Sequence, residues 1–212
     1  MPREIVVVGA SGMGREVLDV IEAMRANGDD IQVAGVVDDK PSELNLERLR
    51  VRGYTYLGTT ADLTSAEVRD GYVIGIGTPA VRRLIASRFD VAGWEPATVV
   101  HPTATVGSEV TLEPGVILCA GVRLTTNIVM ERHALLNLNV TVGHDTRLGA
   151  FAVANPGAQI SGDVTIASGV LVGTGAVILQ GLHVGENAIV GANACVTKDV
   201  PDGLIVKGVP AR

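Results

Sequence analysis

Residues 136–160 read LNLNVTVGHDTRLGAFAVANPGAQI, and an aliphatic or alanine residue occupies every sixth position of this stretch. The same period extends in both directions, from Val100 to Pro201, without an insertion. The first residues of successive hexads are Val100, Val106, Leu112, Leu118, Leu124, Met130, Leu136, Val142, Leu148, Ala154, Ile160, Ile166, Val172, Ile178, Val184, Val190 and Val196. The fifth residues are mostly small or β-branched: Ala104, Val110, Val116, Val122, Ile128, Ala134, Val140, Thr146, Ala152, Ala158, Val164, Val170, Ala176, Leu182, Ala188, Ala194 and Val200.

A period of six is typical of a solenoid, because it fits neither a helix nor the strand spacing of a β-sandwich. It predicts a parallel β-helix in which each hexad supplies one short strand and one bend, and three hexads form a triangular coil. The interior is narrow, so Phe151, the one aromatic residue of the repeat, is predicted to face outward. The fourth positions mostly carry residues that tolerate left-handed backbone angles: Gly115, Gly121, Asn127, Asn139, Asp145, Gly157, Asp163, Gly169, Gly175, Gly181, Asn187, Asn193 and Asp199.

The composition limits the possible functions. The 212 residues are 47% hydrophobic and 19% charged, enough for one solenoid and one small globular domain. A net charge of −6 disfavours binding to nucleic acid. No apolar run reaches the ~18 residues of a membrane span, and the first residues do not resemble a signal peptide, so a cytoplasmic protein is expected. Cys119 and Cys195 lack metal-ligand spacing and are predicted to be reduced packing residues.

The residues before the solenoid alternate between apolar, β-branched runs and segments with helical spacing. Strands are predicted at 5–8, 32–37, 54–57 and 72–76, and helices at 17–24, 61–68 and 80–89. This order predicts a Rossmann-like α/β domain over residues 1–99, followed by the all-β solenoid domain over residues 100–212.

A glycine-rich turn joins the first strand to the first helix. Gly9, Gly12 and Gly14 allow a tight turn below a helix start, whose free N–H groups favour a phosphate. The pattern is weak by itself: it fits a turn without a ligand, and it also fits an NAD site with Asp38 or Asp39 on a ribose. A dehydrogenase is disfavoured because the residues before the solenoid leave no room for a separate catalytic domain.

Segments such as Val142-Gly-His-Asp145, Val172-Gly-Thr-Gly175, Val184-Gly-Glu-Asn187 and Gly208-Val-Pro-Ala211 resemble the hexapeptide-repeat acyltransferases, whose solenoid is a left-handed β-helix. The resemblance implies a homotrimer with acetyl-CoA in the groove between two neighbouring solenoids. Along the full length, the glycine-rich turn, the two aspartates after the second strand, Gly75-Ile-Gly77 with Arg82, and the His-Pro pair at 101–102 resemble one subfamily. It comprises the sugar O- and N-acyltransferases of the sialic-acid and bacillosamine pathways.

In the members of this subfamily that act on nucleotide sugars, the first domain holds the nucleotide-linked sugar. The resemblance therefore implies substrate contacts from Gly9, Ser11, Gly12, Gly14, Asp38, Asp39 and Gly77. Met13 stands where the subfamily often has histidine, which puts a polar contact from that position in doubt.

His144 differs from the other histidines because a carboxylate, Asp145, follows it at a bend. The resemblance makes His144 the general base, Asp145 its orienting partner and Asn137 a polar contact at the matching position. An imidazole, with an ordinary pKa of ~6.5, can accept the proton of an amine or hydroxyl that attacks a thioester. A neighbouring carboxylate fixes the tautomer and stabilises the imidazolium.

Three residues are candidates for contact with the acetyl-CoA. Gly162 lies one coil after His144 (144 + 18), and its amide matches the family's donor to the thioester oxygen, although a glycine that only eases a bend fits nearly as well. Val153 stands near the cofactor position, where relatives often carry histidine. Lys198 could meet the CoA phosphates, although a lone lysine is more often a solvated surface charge.

No metal is expected, because no two histidines are 18 residues apart and the His-x4-His pair of the γ-type carbonic anhydrases does not occur. His101, His133 and His183 are predicted to be solvated or structural. The expected reaction is acetyl transfer to the amino group of a nucleotide-activated 4-amino-4,6-dideoxy sugar. Two alternatives stay open: an O-acetyltransferase acting on a sialic-acid-like hydroxyl, and a non-catalytic trimeric scaffold.

Overall fold

The computed structural model describes residues 2–64 and 71–212. Its first part is an α/β unit with the elements β1 (Arg3–Val8), α1 (Gly12–Ala26), β2 (Ile31–Val37), α2 (Glu43–Val51), α3 (Thr60–Thr64), β3 (Tyr72–Ile74) and α4 (Pro79–Val91). The three strands are parallel in the order β2-β1-β3. β1 is central, and its residues 5–8 are at most 1% exposed. This burial on both faces explains why β1 is an unbroken apolar run.

The predicted strand at 54–57 was wrong, since only a single bridge joins Tyr56 to Val36. The tyrosines of this segment serve other contacts: the Tyr54 hydroxyl donates to the Glu22 carboxylate at 2.5 Å, and the Tyr56 hydroxyl donates to the Asp38 carbonyl at 2.9 Å. Of the predicted helix at 61–68, residues 61–64 are helical and residues 65–68 lie outside the described residues.

Helix α2 was not predicted from the sequence. Leu49 is its one buried residue, so the helix has no apolar stripe to reveal it. The available signal was its start, where the Ser42 hydroxyl accepts a hydrogen bond from the N–H of Asn45 at 3.2 Å. A serine in this position is typical of a helix N-cap.

From Val99 onward the chain forms a parallel β-solenoid with three faces, as the hexads predicted. Face 1 has seven strands: Val99–Val100, Ile117–Leu118, Leu135–Leu136, Val153–Ala154, Leu171–Val172, Ile189–Val190 and Ile205–Val206. Face 2 has six strands: Thr105–Val106, Arg123–Leu124, Thr141–Val142, Gln159–Ile160, Val177–Ile178 and Cys195–Val196. Face 3 has five strands: Val110–Leu112, Ile128–Met130, Arg147–Leu148, Thr165–Ile166 and His183–Val184. The edges between faces are named 1/2, 2/3 and 3/1 in chain order.

Most of the first and fifth residues of the hexads form one buried cluster, so these two positions point into the solenoid, as their aliphatic and small side chains predicted. Val106, in the first coil, is 43% exposed because no earlier coil covers it. Left-handed backbone angles occur at every sixth residue from Glu109 to Asn193, so the predicted bend column is confirmed over that range. The bend column ends before Asp199, which does not adopt such an angle.

Face 1 is covered by the α/β unit. The buried face of α1, with Val17, Leu18 and Ile21, forms one apolar cluster with the outward residues Ile117 and Leu135 of face 1. Helix α1 thus packs against both its own sheet and the solenoid, which leaves faces 2 and 3 open. No helix within residues 2–64 and 71–212 is long and apolar enough to cross a bilayer.

A buried arginine joins the two parts a second time, at edge 3/1. Arg82 is 0% exposed, and its guanidinium donates to the carbonyls of Ile74 and Ile76 at 2.6 and 2.9 Å and to that of His133 at 2.7 and 3.2 Å. Burial lowers the pKa of Arg82 to about 9. The His133 ring stacks on Phe151 at 5.3 Å, and burial, with the Arg82 charge, lowers its pKa to about 3. His133 is therefore a neutral structural residue, and Phe151 faces out of the solenoid into this contact.

Candidate active site

The carboxyl ends of the three parallel strands meet at the glycine-rich turn. Because β2 and β3 lie on opposite sides of β1, the strand order reverses here, and ligands of open α/β sheets bind at such points. Asp38 fastens the turn to the end of β2, since its carboxylate accepts hydrogen bonds from the N–H of Ala10 at 2.8 Å and of Lys40 at 2.9 Å. These two hydrogen bonds hold the turn against the end of β2.

The glycines of this region fall into two groups. A Cβ on Gly14 would lie 1.8 Å from the carbonyl oxygen of Gly9, and a Cβ on Gly9 would lie 2.7 Å from the backbone that follows β3. These two glycines are therefore required by close packing. A Cβ on Gly12 or Gly77 would meet none of the described residues within 4 Å. Together with Ser11, the N-cap of α1 whose side chain caps nothing, they border open space that a ligand can fill.

A pocket of about 230 Å³ lies between the turn and α4. Its lining residues are Val8, Gly9, Asp38, Asp39, Lys40, Thr60, Ile76, Val81 and Ile85. Asp39 accepts hydrogen bonds from the N–H and hydroxyl of Thr60, both at 2.8 Å, and its other oxygen lies 3.3 Å from Arg88. Burial opposes ionisation, but these bonds hold the pKa of Asp39 below its usual value. Asp39 is therefore an ionised residue in the lining of the pocket, and Lys40 adds a positive charge there.

His144 and Asp145 lie together at edge 2/3, with side chains 53% and 51% exposed. The Nδ1 of His144 is 2.7 Å from Oδ2 of Asp145. Because a carboxylate only accepts, Nδ1 carries the proton, and in the neutral imidazole the lone pair is on Nε2. The other Asp145 oxygen accepts a 2.5 Å hydrogen bond from the amide of Asn127. The bonds from Asn127 and then His144 hold the pKa of Asp145 below its usual value, so it is ionised at neutral pH.

The imidazole of His144 lies directly over Gly162, one coil further along. A Cβ on Gly162 would be 2.6 Å from both Cε1 and Nε2 of that ring. Gly162 is the only glycine at the third position of the hexads, and its backbone does not have a left-handed angle. The missing side chain therefore makes room for the imidazole. The N–H of Gly162 donates to no group in the described part of the chain, so it can bind an acceptor.

Asn137 and His144 do not meet within one chain, because Asn137 lies at edge 1/2 and face 2 separates the edges. Asn137 is 7% exposed, its Nδ2 is 3.8 Å from Sδ of Met13 in the glycine-rich turn, and its Oδ1 accepts from the N–H of Leu138 at 2.7 Å. Val153 is 1% exposed in the cluster between α1 and face 1. The Val153 side chain is therefore covered where face 1 meets the α/β unit.

Lys198 lies on the same edge as His144, because 198 − 144 = 54 residues is three coils. With ~4.8 Å between paired strands, three coils span on the order of 14 Å. Beside this edge, face 2 carries an open trough of about 400 Å³. The trough residues are Arg123, Thr125, Thr141, Val142, Gly143, Gln159, Ile160, Ser161 and Val177.

The remaining histidines lie apart from His144. The Nδ1 of His101 accepts from the N–H of Thr103 at 3.1 Å, and His183 is exposed on face 3. Within residues 2–64 and 71–212, no three His, Cys, Asp or Glu side chains are grouped so that they could hold a metal ion.

Two features of the site were not recognised in the sequence. Asn127 is predicted from the hexads only as a bend residue, and Gly162 is predicted as a donor but not as the space beneath His144. Both could have been found from the spacing, since residues 18 apart stack in neighbouring coils and 145 − 18 = 127.

Comparison with known proteins relates both parts of the chain to one group. Residues 4–89 match the family model of the PglD N-terminal domain. The GDP-perosamine N-acetyltransferase of Escherichia coli O157:H7 is 31% identical over 162 residues, which cover 76% of this chain and 71% of that protein.

Solved structures extend the similarity to the whole length. WeeI from Acinetobacter baumannii AYE has a TM-score of 0.85 and 31% identity over 99% of both chains. PerB from Caulobacter crescentus, crystallised in complex with CoA and GDP-perosamine, has a TM-score of 0.78 and 30% identity over 99% of this chain and 96% of that one. The α/β unit, the β-solenoid and the sequence agree, and the chain belongs to the hexapeptide-repeat sugar N-acyltransferases with a PglD N-terminal domain and a left-handed β-helix.

Proposed function

We propose that the protein transfers the acetyl group of acetyl-CoA to the amino group of a nucleotide-linked 4-amino-4,6-dideoxy sugar. The observation that carries the proposal is the His144–Asp145 pair, whose free Nε2 lies over Gly162. The relatives support the substrate class, because one is a GDP-perosamine N-acetyltransferase and PerB binds CoA and GDP-perosamine. GDP-perosamine is therefore the first acceptor to test.

In the proposed reaction the sugar amine attacks the thioester carbonyl directly. As the N–C bond forms, Nε2 of His144 takes a proton from the amine, while Asp145 stabilises the imidazolium. The N–H of Gly162 donates to the oxyanion of the tetrahedral intermediate. The C–S bond then breaks, and the imidazolium returns its proton to the leaving thiolate, which yields CoA and an acetamido sugar.

The two parts of the chain divide the binding. The nucleotide sugar is proposed to lie against Ser11, Gly12 and Gly77 and to extend towards the pocket of Asp38 and Asp39, with phosphate near the N–H groups of α1. Acetyl-CoA is proposed to follow edge 2/3, with its thioester at Gly162 and its phosphates towards Lys198. Opposite charges favour this direction, because a lysine at the far end attracts the phosphates.

Completing this site requires a second copy of the chain. The glycine-rich turn contacts Asn137 at edge 1/2, whereas His144 lies at edge 2/3 of the same solenoid. A neighbouring copy packed against face 2 would bring its own turn towards His144, and three such contacts close into a ring. We therefore include a homotrimer in the proposal, with the trough of face 2 in the interface.

Light scattering at micromolar concentration is expected to give three times the 21.9 kDa of the chain. Gln159→Trp, in the trough, should shift the protein towards monomer and lower kcat together, because a bulky ring blocks close packing. Thr165→Trp, at the equivalent outward position of face 3, is the matched control and should leave both unchanged. A fully active monomer would contradict the shared site.

The reaction itself is tested with GDP-, UDP- and dTDP-linked 4-amino sugars, by measuring CoA release and locating the new acetyl group by mass spectrometry. We expect turnover with at least one amino sugar and none with its 4-hydroxy counterpart. Acetylation of a hydroxyl in place of the amine would contradict the proposal.

A further inference from the structure

Asn127 occupies the bend position one coil before Asp145, and both residues have left-handed backbone angles, with φ of 55° and 60°. The bend side chains lean towards the preceding coil. Elsewhere this arrangement places an asparagine over a glycine: a Cβ on Gly169 would lie 2.3 Å from Oδ1 of Asn187, and a Cβ on Gly175 would lie 2.3 Å from Oδ1 of Asn193.

At the candidate active site the pattern changes. The residue beneath Asp145 is Asn127 in place of glycine, and its side-chain amide donates to Oδ1 of Asp145 at 2.5 Å. The other oxygen, Oδ2, is thereby directed at Nδ1 of His144. A bend does not require a side-chain amide, since glycine occupies several bend positions at the other two edges. Asparagine also occupies the bends at 139, 187 and 193, but among the described bend residues only Asn127 donates its amide to a carboxylate of the next coil.

We infer that Asn127 is a positioning residue for the acetyl transfer, which fixes the Asp145 carboxylate so that His144 keeps its Nδ1 proton and presents Nε2 to the substrates. This inference rests on the proposed function. Asp145 is about half exposed, so without the amide its carboxylate can turn to solvent and release the imidazole. The hydrogen bond from Asn127 is also the leading cause of the lowered pKa of Asp145.

Asn127→Gly removes the amide and keeps a residue that favours the left-handed angle. We expect kcat to fall about 10- to 100-fold, as for a catalytic group displaced by about 1 Å, with KM for both substrates nearly unchanged. In carbon-13 NMR, the titration of the Asp145 carboxyl should move to higher pH. Asn187→Gly is the matched control, because it has φ of 56° and lies at edge 3/1, and it should change neither quantity.

Asn127→Asp keeps the shape of the side chain and replaces the donor by a carboxylate. Two carboxylates in contact disfavour ionisation of both, so the loss of kcat should deepen as the pH rises and both become charged. The titratable groups next to this pair are His144 on the same coil as Asp145, Asp163 one coil after Asp145, and Glu109 one coil before Asn127. Asn127→Gly brings no charge, so its loss should not deepen in this way.

Wild-type kcat in Asn127→Gly, an unchanged Asp145 titration, or an equal loss in Asn187→Gly would overturn the inference. A wild-type protein that acetylates no amino sugar would overturn the proposed function instead. The Asp145 titration needs no turnover, so it would still show whether Asn127 holds the carboxylate.

Discussion

His144→Ala is expected to lower kcat by about 10²–10⁴-fold while the protein still binds CoA and the nucleotide sugar, because the loss removes only the proton acceptor. The geometry gives the reason. Asp145 holds the Nδ1 side of the ring at 2.7 Å, so the Nε2 lone pair is directed away from it and over Gly162. Steady-state kinetics with the true acceptor measure kcat, and calorimetry measures binding.

His183→Ala is the control for this prediction. His183 also lies on the solenoid, but its ring is exposed on face 3, two coils beyond the coil of His144. Its replacement should leave kcat near the wild-type value. If His144→Ala retained near-normal kcat across the pH range, general-base catalysis by this residue would have to be abandoned, although the fold would stand.

Gly162→Ala is expected to lower kcat roughly 10²-fold without unfolding the protein. The added Cβ would lie 2.6 Å from Cε1 and Nε2 of His144, closer than real contacts allow, so the imidazole must move. A displacement of about 1 Å at a reacting group can cost about 10²-fold in rate. The variant keeps its backbone N–H and can still donate to the oxyanion. A loss of kcat would therefore report on the space for the imidazole ring.

The backbone at this hexad position accepts a Cβ, since Ala120, Ala150 and Ala192 occupy it at the other edges. The melting temperature of Gly162→Ala should therefore stay close to that of the wild type. Thr174→Ala, at the same hexad position on edge 1/2, should change neither kcat nor the melting temperature. Unchanged kcat in Gly162→Ala would show that His144 does not work from its position over this glycine.

Much of the fold follows from the hexads alone. A coil of 18 residues stacks each residue on its counterparts in the next coils, so the interior columns and the bends are fixed by local spacing. Three bend residues, Glu109, His133 and Phe151, adopt left-handed angles without being Gly, Asn or Asp. For His133 and Phe151 the cause is tertiary, since both pack against the α/β unit. In that unit, α2 was missed because a helix with one buried residue has no apolar period.

The candidate site was predictable in part. The adjacency of His144 and Asp145 and the place of Gly162 one coil later follow from the sequence numbering. The contacts of Asn137 and Val153 do not follow from the numbering, because they depend on how the α/β unit packs on the solenoid. Asn137 lies against Met13, and Val153 lies in the apolar cluster between the two parts. The sequence also did not indicate that Arg82 would be fully buried and would donate to the backbone carbonyls of Ile74, Ile76 and His133.

By itself, the sequence determined the solenoid, its interior, its bends and the residues that share an edge. The reason is that residues 18 apart lie side by side in neighbouring coils, so their contacts follow from the residue numbers. Only the tertiary structure decided which face the α/β unit covers, which oxygen of Asp145 meets His144, and that Asn127 holds the other. These depend on side-chain direction and on contacts between segments far apart in the chain, and the energies of such contacts are not encoded in any local period.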